Sequence, residues 1–498
     1  MRSIRVTMNN YNFNNETSLK WLLFIFVFVV ITVFFTAIHP LTIISGDDWF
    51  NLSLGRQAYP QWSGFNPTKV VPEVLFPLFG NIASSIIMPL GFTFLQSVAY
   101  ITAILVASLT VLFLYQFYML LREKMDFSAY VSSLLVIFYL LCLFGMFRTL
   151  DNNSPYLLWE QNITCYYHYI VPALINGSLA IYFLRKEVHA LRVVSENRVT
   201  AGMLVFAIYL CVLSNIFASV FLAILCGVIV FVELISRRYK IIETIKAYPF
   251  HVVTIVMWVI SAVFEMNGGR AEMMTKGHMN ISATINAFAS LLKLSERTFM
   301  VVMAIGVIFG AVYLLKGSDE KSNNGRYVFW VCILSGLITT VALILVCAKA
   351  STNYAARPVV MWGTFMYLII VASIGIGYLI AVFKPVNYIV PIVVLCLVNK
   401  TTDQNHSLRE SHNGNVPFAV ANAISQNMID QVKTAVNANQ RTMELHVPKG
   451  DDNDNWPFPV TRGKAISETL KSNGLIPRNI EIKILPDREM NAKYGMPI

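Results

Sequence analysis

Two adjacent carboxylates, Asp47 and Asp48, stand eight residues beyond the end of a long apolar run, with Trp49 and Phe50 directly after them. Acids at a membrane boundary are costly unless they are solvated or used. In an extended segment neighbouring side chains point opposite ways, so one of the two is expected to enter a site. Taken alone, such a pair reads as solvated loop charge. The flanking rings argue for a carboxylate packed against aromatics, where burial raises its pKa and makes it a usable general base.

A second cluster runs Trp159-Glu160-Gln161-Asn162-Ile163-Thr164-Cys165-Tyr166-Tyr167-His168-Tyr169. Interfacial aromatic belts are its plain explanation. Ring faces beside hydrogen-bonding edges also suit a sugar, which makes Trp49, Trp159, Glu160, Tyr167 and His168 candidate sugar or acceptor contacts. A third group is Lys349 and Arg357, which bracket a short polar loop. A guanidinium at headgroup level can clamp a phosphate bidentately. Arg270, Lys276 and Lys293 read as solvated loop charge, and Arg462, Lys464 and Lys471 as solvated helix charge. No Walker, GxGxxG, HExxH, paired CxxC or GxSxG pattern occurs. Two acids alone make a poor oxygen site for a divalent ion, so neither a metal nor another cofactor is expected.

The elements that must position these residues are transmembrane helices. The 498-residue chain is 56% hydrophobic and only 13% charged, about half the charge of ordinary soluble domains. Apolar runs predict about eleven spans, at 21–39, 94–121, 129–147, 167–184, 201–216, 217–234, 249–264, 299–315, 327–347, 359–382 and 386–398. A helical bundle is the default, because backbone amides in lipid must be satisfied within their own segment. The stretch around Ser214 and Asn215 reads either as one kinked helix or as two short ones. The first outer loop spans 40–93; Pro77, Pro89 and Gly91 break its moderately apolar middle, which reads as interfacial or re-entrant helix. The first apolar run lacks a small-residue cleavage site and is expected to stay as an anchor.

Composition changes after about Asn399. The polar tail predicts a helix at 418–438, a strand at Thr442–Val447, an acidic loop through Asp451, Asp452 and Asp454, a helix at 462–473 ended by Asn473-Gly474, and a strand at 479–485. The expected organisation is therefore a membrane bundle over 1–398 and a small α/β domain over 399–498.

The net charge of +10 does not point to nucleic acid. Most basic residues flank apolar runs, as topology and contact with anionic lipid require. With the N-terminus inside, the inner segments hold Arg122, Lys124, Arg185, Lys186, Arg237, Arg238, Lys240 and Lys246 among others. An odd span count then places the C-terminus outside. Of seven cysteines only Cys165 falls in a predicted loop, so a disulfide framework is not expected.

An outer loop opening Asp47-Asp48-Trp49 after the first span, then a many-helix bundle, then an outer α/β domain, resembles the GT-C superfamily of membrane glycosyltransferases. The run from Arg462-Gly-Lys464 through Glu468, Lys471 and Gly474 to Arg478 is similar to the ends of phage-encoded serotype-converting O-antigen glucosyltransferases, the Gtr type. The resemblance implies an undecaprenyl-phosphate-linked sugar donor, an O-antigen polysaccharide or lipid-linked repeat as acceptor, and work at the periplasmic face of a bacterial inner membrane. It implies inversion with an acid of the first outer loop as base. That role falls on Asp47 or Asp48, with Asp47 favoured as the acid nearer the helix. Arg357 and Lys349 would then meet the donor phosphate.

Two other functions fit a many-spanning chain. An O-antigen polymerase or ligase carries its key loop late and lacks an appended α/β domain. A transporter or flippase tends to show internal repeats and ionisable residues at the midplane; here the span interiors are nearly free of such residues.

Overall fold

The computed structural model describes residues 2–53, 70–147, 156–160, 162–186, 188–267, 279–316, 320–403, 416–450 and 454–496. Arg270, Lys276, Asp451, Asp452 and the middle of the first outer loop lie outside the described residues.

Among the described residues the α-helices before the tail are α1 (Arg2–Val33), α2 (Gly46–Ser53), α3 (Val70–Ile82), α4 (Phe94–Glu123), α5 (Ala129–Gly145), α6 (Ile163–Arg185), α7 (Val188–Glu196), α8 (Arg198–Val212), α9 (Ile216–Ser236), α10 (Ile241–Ala247), α11 (Pro249–Asn267), α12 (Ile281–Lys293), α13 (Arg297–Lys316), α14 (Glu320–Ala350), α15 (Trp362–Val382) and α16 (Val386–Asp403). Among the described residues eight helices are long and apolar enough to cross a membrane, and the bent pair α10–α11 makes a ninth. Three of the expected spans, α5, α8 and the apolar part of α16, form shorter apolar helices. The chain is thus a helical membrane protein of many passes.

Ion pairs mark one end of the bundle. Arg122 meets Glu16 at 3.0 Å and Arg185 meets Glu123 at 2.8 Å, so the start of the apolar part of α1 and the last turns of α4 and α6 lie together. At the opposite end Asp48 bonds Thr164, and Asn215 bonds the His168 carbonyl. α1 and α4 therefore run antiparallel, and the segment joining them leaves and returns at the second end. That parity decides how α3 lies. With its extension to Leu90 it is long enough to span, yet a single crossing would start α4 on the wrong side. Its partners agree: the Val71 amide bonds the Leu213 carbonyl, Phe76 stacks on Tyr167, and Ser84 bonds Asn473. All of these sit at the second end, the end at which α4 begins. Pro77 lies inside α3 without ending it, contrary to the expected break, and the helix stops at Gly91, whose φ of 99° suits glycine.

The stretch around Ser214 resolves into two helices. Asn215 caps α9 by accepting from the Phe217 amide, and Asn176 of α6 donates to the Cys211 carbonyl and to Ser214. A buried amide thus holds the turn that sequence left ambiguous.

Helix packing uses small residues, as expected where lipid provides no hydrophobic drive between helices. α13 exposes Val301, Ile305, Ile308, Val312 and Leu315 on one stripe, and turns Gly306 and Gly310 toward α15. A Cβ placed on Gly375 of α15 would stand 1.8 Å from the Gly306 carbonyl oxygen. Gly375→Ala is therefore expected to force α13 and α15 apart at a cost of about 1–3 kcal/mol. Purified in detergent, it should melt several degrees below the parent; an unchanged melting temperature would show that the helices do not meet this closely.

The tail folds as α17 (Phe418–Asn437), β1 (Thr442–Pro448), α18 (Gly463–Ser472), β2 (Glu481–Asp487) and α19 (Arg488–Tyr494). β1 and β2 pair in parallel, Thr442 opposite Glu481 through Pro448 opposite Asp487. The parallel pairing needs a crossover, and α18 lies within it. The apolar positions Ala421, Ile424, Met428, Ile429 and Val432 form the buried stripe of α17. The final helix α19 was not anticipated; Asp487 caps it through the Glu489 amide.

The candidate active site

The site is built around the start of α2. Asp47 and Asp48 lie on a helix rather than in the extended segment expected, and the step of about 100° per residue still points them to different surroundings. Asp48 is fully buried. Its Oδ2 accepts from the Ile44 and Ser45 amides, both at 3.0 Å, while the Ser45 hydroxyl accepts from the Asp48 amide at 3.2 Å. This is a reciprocal capping box, legible in Ser45-Gly-Asp-Asp48 as the S-x-x-acid pattern. The other oxygen accepts from the Thr164 amide at 2.9 Å and hydroxyl at 2.8 Å. Asn162, which caps α6, also donates to the Ser45 hydroxyl at 3.3 Å. Two helix caps thus interlock. Burial pushes the Asp48 carboxyl above its usual range, and the bonds from Thr164, Ile44 and Ser45 pull it back. With both oxygens engaged twice, Asp48 ties the two caps together.

Asp47 is the available acid, with 48% of its side chain exposed. Its Oδ1 lies 3.7 Å from Nη2 of Arg462, which reaches over from the turn before α18. The Arg462 guanidinium stacks on Phe50, with Cζ 4.7 Å from the ring centroid. Arg462 is therefore not the solvated helix charge the sequence suggested. Lys464 is, at 88% exposed and 3.7 Å from Glu468.

Arg357 follows a short 3₁₀ turn, Thr352–Ala356. Its Nη2 bonds Glu160 and approaches the Cys165 sulfur at 3.9 Å. Its Cζ lies 4.6 Å from the Tyr169 ring centroid. Glu160 is 2% exposed and Arg357 31%. The Glu160 carboxylate keeps the arginine charged against burial. One guanidinium nitrogen is thus committed to Glu160, and 31% of the side chain remains accessible. Lys349 ends α14 exposed, eight residues before Arg357, and is not drawn into this pair.

The expected sugar-binding rings are mostly occupied by packing. Trp49 is 1% exposed, and its carbonyl accepts from the Thr469 hydroxyl at 3.1 Å. With Met428, Phe458, Ile466 and Ile484 around it, Trp49 joins α2 to the tail. Tyr167 stacks between Phe76 and α4 and shares a hydrogen bond with Thr102 at 3.0 Å. Trp159 and His168 are 9% and 6% exposed. Phe50, 37% exposed, stands beside Asp47 with the Arg462 guanidinium over its ring; the sequence marks it as a ring flanking the acids, though not as a sugar contact.

Between α4, α6 and α8, under Val71 and Leu75 of α3, lies a cavity of about 410 Å³. Leu105, Leu109, Ile175, Leu179, Leu204 and Leu210 line it. Among the described residues no three metal-binding side chains gather, and all seven cysteines are free.

The fold defines a multi-pass α-helical membrane protein whose buried and exposed acids converge at one end of the bundle. No family model matches the chain, and no curated protein matches it.

Proposed function

We propose that this protein is an inverting hexosyltransferase of the inner membrane that moves a sugar, glucose by the resemblance, from undecaprenyl phosphate to a repeat sugar of O-antigen at the periplasmic face. The observation that carries the reading is Asp47: an accessible carboxylate held rigidly by the clasp of Asp48, at the end of the bundle where Arg357 also stands. Asp47 would take the proton of an acceptor hydroxyl as its oxygen attacks the anomeric carbon. The bond to the phosphate oxygen breaks, and the leaving lipid phosphate is stabilised by the guanidinium of Arg357. Holding donor and acceptor together supplies much of the remaining acceleration.

The topology proposed with it has eleven spans: α1, α4, α5, α6, α8, α9, the α10–α11 pair, α13, α14, α15 and α16. The basic end, with Arg122, Lys124, Arg185 and Lys186, lies in the cytoplasm by the positive-inside rule. The tail from residue 399 then forms a periplasmic domain beside the site. The apolar cavity suits a polyprenyl chain in chemistry and in its place among spanning helices. Leu179→Trp, which fills it, is expected to raise the donor KM about ten-fold with little change in melting temperature; an unchanged donor KM would remove the cavity from the donor's path.

The direct test is to express the chain in a Gram-negative host that makes polyprenyl-phosphate glucose and a defined O-antigen, and to weigh the repeat. A gain of one hexose supports the reading. No gain, with lipid-linked glucose left unconsumed across several O-antigens, would sink it.

A further inference from the structure

We propose that the tail supplies half of the acceptor site: Arg462 binds the reacting hydroxyl of a polyhydroxylated acceptor together with Asp47. The inference rests on the transferase reading and names the acceptor-binding residue of that site.

The geometry is that of an open pair. Arg185 and Glu123 close to 2.8 Å at the basic end, whereas Arg462 and Asp47 stop at 3.7 Å, beyond hydrogen-bond reach. An oxygen atom placed about 2.8 Å from each would bridge them. A hydroxyl there accepts from the Arg462 N–H and donates to the Asp47 carboxylate. It is then aligned to lose its proton to Asp47 as its oxygen forms the new bond to the anomeric carbon and the phosphate departs with the old bonding pair. The guanidinium lies over Phe50, Cζ 4.7 Å from the ring centroid, with its Nη2 the nitrogen nearest the acid. The Arg462 Nε–H is buried and bonds no described residue, so the arginine is not satisfied by the protein around it.

The backbone holds this arrangement in place on both sides. A Cβ on Gly463 would stand 2.0 Å from the Ile482 carbonyl oxygen of β2, so the turn carrying Arg462 is pressed against the sheet. A Cβ on Gly46 would stand 2.5 Å from the Pro459 ring and 3.0 Å from Arg462 Cγ. The Gly46 amide bonds the Pro457 carbonyl at 3.1 Å, and Ser425 bonds the Ile43 carbonyl at 2.5 Å. Tail and α2 are therefore docked through backbone, and Arg462 projects from the seam. Docking alone needs no arginine at that point, because Thr469 and Trp49 already join the two parts.

The test is steady-state kinetics on the full chain in detergent, with polyprenyl-phosphate glucose as donor and a defined O-antigen polysaccharide as acceptor. Arg462→Gln is expected to raise the acceptor KM about ten-fold or more while the donor KM stays within two-fold. Arg462→Lys, which keeps the charge but not the planar fork, should recover part of the loss. Thr469→Val breaks the bond to the Trp49 carbonyl without touching the open pair, and should leave the acceptor KM unchanged. An acceptor KM unmoved by Arg462→Gln on an active enzyme overturns the inference, as does an equal rise in Thr469→Val, which would assign the effect to docking. Absence of transfer by the parent chain with every acceptor would instead bring down the transferase reading, and the inference with it.

Discussion

Asp47→Asn is expected to lower transfer by about 10²–10⁴-fold, the usual worth of a general base, with the melting temperature in detergent unchanged. The carboxylate is half exposed, and the only cation paired with it among the described residues is Arg462 at 3.7 Å, so little of the fold depends on its charge. Asp48→Asn should behave the other way. Its two oxygens accept from three amides and a hydroxyl, and an amide nitrogen in place of either one would face donors. Each buried group left unsatisfied costs about 1–3 kcal/mol, and the interlocked caps of α2 and α6 would loosen together. Lower yield and a lower melting temperature are therefore expected for Asp48→Asn. Its residual transfer, scaled to folded protein, should exceed that of Asp47→Asn. The reverse ranking, with Asp48→Asn stable and inactive, would move the proton acceptor to Asp48 and discard the structural role given to it here.

The second large effect concerns Arg357 and Glu160. Arg357→Met leaves a carboxylate that is 2% exposed without its cation, and breaking a buried pair from one side costs about 3–5 kcal/mol. The variant should express poorly and melt early. Changing both partners, Glu160→Gln with Arg357→Met, removes the stranded charge and should return most of the stability. Transfer should not return with it, because the phosphate of the donor still lacks its guanidinium. Separating these two readouts distinguishes a binding role from a structural one. A stable double variant with the parent's donor KM would show that Arg357 does nothing but neutralise Glu160. Arg357→Lys is expected to fall between, since a compact ammonium cannot serve the carboxylate and an incoming phosphate along two edges at once.

The sequence by itself determined the long apolar helices and most of the tail's elements, but not the short helices such as Ile281–Lys293 and Arg488–Tyr494. Apolar runs placed the helices long enough to cross a membrane, apart from Val70–Leu90, because a segment in lipid must satisfy its own backbone. The tail's helix at Phe418–Asn437 and its strands at Thr442–Pro448 and Glu481–Asp487 followed from local pattern in the same way. The acids of the first outer loop were legible as chemistry, and Ser45-Gly-Asp-Asp48 carried a capping box that marks which acid is engaged. What only the tertiary structure decided is which groups meet. Whether Val70–Leu90 crosses or lies flat depends on the parity of its neighbours, which no property of the segment encodes. Arg462 stands 415 residues from Asp47 in the chain, and Glu160 and Arg357 come from separate turns; their pairing exists because four helix ends and the tail close on one another. Trp49 and Phe50 are adjacent rings in sequence, yet packing buries Trp49 against the tail and leaves Phe50 37% exposed beside Asp47. Burial is a property of the assembled surroundings, and a side chain's type states only what it could do if it were left exposed.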